Sequence, residues 1–71
     1  MDQEELDYQK GLVYRASIEF IKIKGLEDFI EYLQVVDETD RIPANSALDK
    51  ETYVAVLRQA INDYRKQMLK Q

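Results

Sequence analysis

Apolar residues recur through the last third of the chain at Val54, Leu57, Ile61, Tyr64 and Met68, spaced three, four, three and four. That spacing is the heptad seam of an amphipathic helix. Tyr53 and Ala60 widen the seam into a stripe broad enough for a bundle, and Arg58, Asn62, Arg65 and Lys66 fall on the polar side. A helix is predicted from Asp49 to Lys70, with the Asp49 carboxylate accepting bonds from free backbone amides at its start. Leu26, Phe29, Ile30, Leu33 and Val36 repeat the pattern with Glu27, Asp28, Glu31 and Gln34 turned outward, so a shorter helix is predicted from Leu26 to Val36. The stretch from Asp37 to Leu48 is polar, aperiodic and holds the only proline, and reads as a loop over 37–48. Ile42 and Leu48 are its expected anchors into the core, and Pro43 keeps Ile42 extended.

The first third admits two readings. Tyr14, Ala16, Ile18 and Phe20 alternate with Arg15, Ser17 and Glu19, which is a strand pattern rich in β-branched and aromatic types. Yet Leu12, Val13, Ala16, Phe20 and Ile23 share one helical face, with Arg15, Glu19 and Lys22 opposite at ion-pair spacing. The alternation loses phase at Phe20–Ile21, and a lone strand in a short chain lacks a partner. Acidic residues lead and basic ones trail, from Asp2, Glu4, Glu5 and Asp7 to Lys22 and Lys24, as a helix dipole favours. A long helix is therefore predicted from Gln3 to Lys24, broken at Gly25 so that the second helix folds back on it. Gly11 weakens it by up to ~1 kcal/mol and is expected to let its first turns fray or bend. Tyr14, Ile18 and Ile21 fall off the main face, and such a helix packs against two neighbours, or against one neighbour and a second chain.

Charge adds an asymmetry. Residues 1–40 carry eleven acids against four bases, and residues 41–71 carry six bases against three acids, within an overall net charge of −4. An acidic half beside a basic half permits head-to-tail or antiparallel self-association, although each half is also an ordinary solvated surface. Charged residues at 34% and hydrophobic ones at 45% suit a folded domain. With 71 residues that is a single domain over 1–71, small enough to gain from a partner subunit. No apolar run reaches the ~18 residues of a membrane span. The acidic start lacks the layout of a secretory signal, and cysteine is absent, so a cytoplasmic protein is expected.

The chemistry is sparse. Without histidine or cysteine the familiar nucleophilic dyads, triads and zinc sites are missing. Ser17 and Ser46 have no histidine base, and Ser46 reads as a loop or capping residue. The pairs Asp37/Asp40 and Glu27/Glu31 read as exposed acids rather than acid–base machinery. A calcium loop begun at Asp37 puts Thr39 and Arg41 at ligand positions. One begun at Asp40 reaches Glu51 at its twelfth position but puts Ile42 and Ala44 at ligand positions, and both frames fail the EF-hand rule. Two isolated glycines make no phosphate loop.

If Ile21 and Ile23 faced inward on a ribbon with Lys22 and Lys24 outward, followed by Leu26–Val36 and Asp49–Met68 as helices, the outline resembles ribbon–helix–helix repressors. That resemblance implies a dimer sharing one strand pair and a DNA-binding transcriptional regulator. Its inter-helix loop is long for that fold, and an acidic N-terminal arm repels phosphate.

The preferred reading is an all-α, three-helix bundle that forms a homodimer. Its expected role is a non-enzymatic, acidic protein–protein interaction module, such as a regulator, inhibitor or assembly factor. No metal or cofactor is expected, and neither a membrane nor nucleic acid as partner; an unidentified protein partner is the alternative to self-association. Val54, Leu57, Ile61, Tyr64 and Met68 form the expected core seam. Tyr14, Ile18 and Ile21, with Tyr8 and Tyr32, are the candidate interface, because tyrosine buries a large ring while keeping a polar tip wet.

Overall fold

A computed structural model describes residues 2–43 and 46–70. Ala44 and Asn45 of the expected loop lie outside the described residues. Among the described residues three helices follow one another: α1 (Gln3–Lys24), α2 (Leu26–Thr39) and α3 (Lys50–Leu69). No strand occurs among the described residues, so residues 13–24 are helix and not the ribbon of a ribbon–helix–helix layout.

The ends of the helices follow from local chemistry. The Asp2 carboxylate accepts the Glu5 amide at 2.8 Å and caps α1, and Asp49 does the same for α3 through the Thr52 amide at 2.8 Å. Gly25 closes α1 and opens α2 within one residue, at φ 102° and ψ 155°. That conformation is essentially restricted to glycine, which is why the reversal between α1 and α2 sits there. Gly11 lies within α1, which runs through it without a break.

α2 extends three residues beyond the end expected at Val36. Asp37, Glu38 and Thr39 carry no apolar signal, yet nothing in them breaks a helix. The helix stops only where Asp40 turns left-handed at φ 59° and donates its amide to the Val36 carbonyl. Acids at a helix C-terminus oppose the dipole, and α2 has no base in its last turn. Lys50, from the start of α3, compensates: its ammonium donates to the Asp37 carbonyl at 2.6 Å and pairs with the Asp40 carboxylate. The clasp also closes the connection between α2 and α3.

The core lies where the three helices meet. Its largest fully buried side chains are Phe29 and Val36 from α2, Leu57 from α3 and Ile21 from α1. Val54 and Ile61 are buried with Leu57, and Tyr64 packs half-buried against them. Met68 is not part of this core: it is 56% exposed, and all residues from Arg65 to Lys70 are exposed. Periodicity identifies the inward face of a helix but not how far its neighbours reach, and the last turns of α3 outrun theirs. From the α2–α3 connection, Leu48 is buried and Ile42 is packed against the core.

The inward face of α1 differs from the expected one. Ile21 is 2% exposed and Ser17 is buried, while Leu12, Ala16 and Ile23 face solvent. The helix is turned about a quarter revolution from the expected face, given ~3.6 residues per turn. The reason is Ser17. Its hydroxyl donates to the Val13 carbonyl at 2.7 Å, so the side chain is satisfied inside its own helix and is small enough to bury. Scoring Ser17 as polar shifts the apparent apolar face onto Leu12 and Ile23.

Candidate functional site

Turning α1 in this way leaves a row of apolar groups outside. Tyr8, Leu12, Ala16 and Ile23 are all exposed and fall at spacings of four, four and seven, on one side of the helix. Beside them opens a groove of about 500 Å³. One wall is α1, through Leu12, Val13, Ala16 and Phe20; the other is the α2–α3 connection, through Pro43 and Ser46. Phe29 and Tyr32 from α2 and Tyr53 and Leu57 from α3 line it as well.

The groove is bounded by an aromatic cluster. The rings of Phe20 and Phe29 lie 5.2 Å apart at 57°, and Phe20 stacks on Tyr32 at 5.8 Å. The Tyr32 and Tyr53 hydroxyls share a hydrogen bond of 2.8 Å. Burial, then that hydrogen bond, push the Tyr53 phenol far above its ordinary pKa. Tyr53 therefore keeps its proton well into the alkaline range. Ser46 accepts the Leu48 amide at 3.2 Å, a turn-holding bond.

A second polar contact fixes α1 on α3. The Tyr14 hydroxyl donates to the Asp63 carboxylate at 2.7 Å, and Gln59 donates to the other carboxylate oxygen at 2.8 Å. The Tyr14 hydrogen bond, then that of Gln59, hold Asp63 below the usual carboxylate range. The same bond, followed by desolvation, raises the Tyr14 phenol.

The candidate interface residues are thus dispersed. Ile21 belongs to the core rather than to a surface patch, because the rotation of α1 carries it inward. Tyr14 is half-buried and engaged with Asp63, and Ile18 is half-buried. Tyr32 is half-buried at the groove, with its hydroxyl bound to Tyr53. Tyr8 is exposed, at 58%, beside residues whose pattern assigned them to the core. Leu12, Ala16 and Ile23, expected on the core face, are surface groups. The spacing that places them with Tyr8 on one side of the helix is equally the signal of a core face.

Of the acidic pairs, Asp37 faces Arg58 at 3.5 Å and Asp40 meets Lys50. Among the described residues no group of three or more acidic, histidine or cysteine side chains is placed to hold a metal ion. Among the same residues no helix is long and apolar enough to cross a membrane. No family model matches the chain, and no curated protein or solved structure does either.

Proposed function

We propose that this protein is a non-enzymatic protein–protein interaction module whose binding face is the exposed side of α1 and the adjoining groove. The observation that carries the reading is the alignment of Tyr8, Leu12, Ala16 and Ile23 beside an aromatic-lined groove. Ile23 is 73% exposed between Lys22 and Lys24, and Leu12 is 39% exposed between the groove and Arg15. An exposed apolar row with a polar rim is the composition of a recognition surface. An amphipathic helix laid along a groove is a common way to fill one.

A photo-activatable cross-linking residue at position 16, in cells of the native host, tests this reading. It is expected to trap a discrete protein adduct. The same residue at Gln34, exposed on α2, is expected to trap none. Equal labelling at both positions, or no adduct at Ala16, refutes it.

A further inference from the structure

We infer that the occupant of this face is a second copy of the chain, with the two α1 helices side by side and antiparallel about a two-fold axis. The inference rests on the interaction reading above and adds the partner and its orientation. The argument is charge. The first turns of α1 expose Asp2, Glu4, Glu5 and Asp7, and its last turn exposes Lys22 and Lys24. Parallel pairing would set each acidic end against its own copy. Antiparallel pairing sets the acidic end of one helix against the basic end of the other, twice over, and also opposes the two helix dipoles.

Register follows from the stripe. Centring the two-fold near residue 14 sets Leu12 of one copy against the partner's Ala16, a large side chain over a small one. Residue numbers on facing helices then sum to about 28, which brings Ile23 to the partner's Glu5. Lys22 approaches the partner's Glu4 and Lys24 the partner's Asp2 within two residues, about 3 Å of helix rise, which lysine side chains span. Lys10 lies toward the core side of α1; Arg15 stands beside the stripe near the axis, where it approaches its own copy, and Glu19, four residues on in the same helix, stands at ion-pair spacing to offset that repulsion.

The protein has no cysteine, so single introduced thiols report the geometry directly. Glu5→Cys and Ile23→Cys chains are mixed and treated with a short thiol-to-thiol cross-linker. Antiparallel pairing is expected to give the mixed product, joining position 5 of one chain to position 23 of the other, because like positions then lie about 27 Å apart at 1.5 Å per residue. Like-with-like products from either single variant overturn the orientation. Analytical ultracentrifugation of the wild type is expected to show a dimer that weakens with salt. Ile23→Glu is expected to be monomeric with unchanged helicity, since the side chain it replaces is on the surface. A wild type that stays monomeric at high micromolar concentration overturns self-pairing. A position-16 adduct with another protein would still stand in that case, so the two proposals fail separately.

Discussion

Replacing Leu57 with alanine removes Cγ and both δ-methyl groups from a side chain that is 1% exposed. At about 0.8 kcal/mol per buried carbon, the transfer loss alone is ~2.4 kcal/mol. The neighbours do not close the space completely, so a cavity cost brings the total to roughly 3–4 kcal/mol. A chain of this length has a total stability of about 4–10 kcal/mol, taking roughly 0.05–0.15 kcal/mol per residue. The variant should therefore lose a third or more of its stability. Met68→Ala is the matched control. It occupies the same heptad seam, but at 56% exposure it should cost less than ~0.5 kcal/mol. Urea titration followed by circular dichroism measures both, with similar slopes expected if unfolding stays two-state. A Leu57→Ala loss under ~1 kcal/mol, or equal losses at the two sites, would refute the placement of the core.

Gly25→Ala should destabilise by about 1–3 kcal/mol through backbone strain alone, since a methyl group there meets no neighbour. Gly11→Ala should do the opposite and stabilise by up to ~1 kcal/mol, because within a continuous helix that Cβ meets only the end of the Arg15 side chain, at an ordinary contact distance of 3.9 Å; thermal unfolding of both variants is the check. At alkaline pH the folded state holds the Tyr53 proton after the unfolded chain has lost it near pH 10. The contribution of Tyr53 is therefore complete below about pH 10 and falls as pH rises above it. Denaturation midpoints measured between about pH 8 and 11 should show this loss, and Tyr53→Phe should reduce its slope; an unchanged slope would contradict the assignment.

The helix boundaries of α1 and α3 were legible because side-chain chemistry marks them. Asp2, Gly25 and Asp49 stand where caps and reversals require them. The end of α2 was not legible, because an aspartate in the left-handed conformation closes it and its compensating cation, Lys50, belongs to another helix. The candidate site was obscured by the same kind of non-local satisfaction. Ser17 hides its polarity in its own helix, and Tyr14 finds a partner 49 residues away in Asp63. A pattern of apolar and polar letters cannot distinguish a hydroxyl that needs water from one already bonded. The outward turn of Leu12 and Ile23 therefore required the three-dimensional arrangement.

The unequal sharing of the interior has a consequence for motion. α1 contributes only Ser17 and Ile21 as buried residues, whereas α3 contributes six and α2 three. The α2–α3 hairpin is closed by Lys50, while α1 reaches α2 through the single residue Gly25. α1 nonetheless packs on both other helices and is tied to α3 by the Tyr14–Asp63 hydrogen bond, so its packed stretch opens only with the domain, and the part that opens first is its N-terminal turn, where Gln3, Glu4 and Glu5 are all exposed. The amides of that turn exchange with solvent through local fraying rather than through complete unfolding. A second copy paired along α1 as proposed would cover this turn, and deuterium uptake there would then depend on protein concentration in a way that uptake in α3 does not.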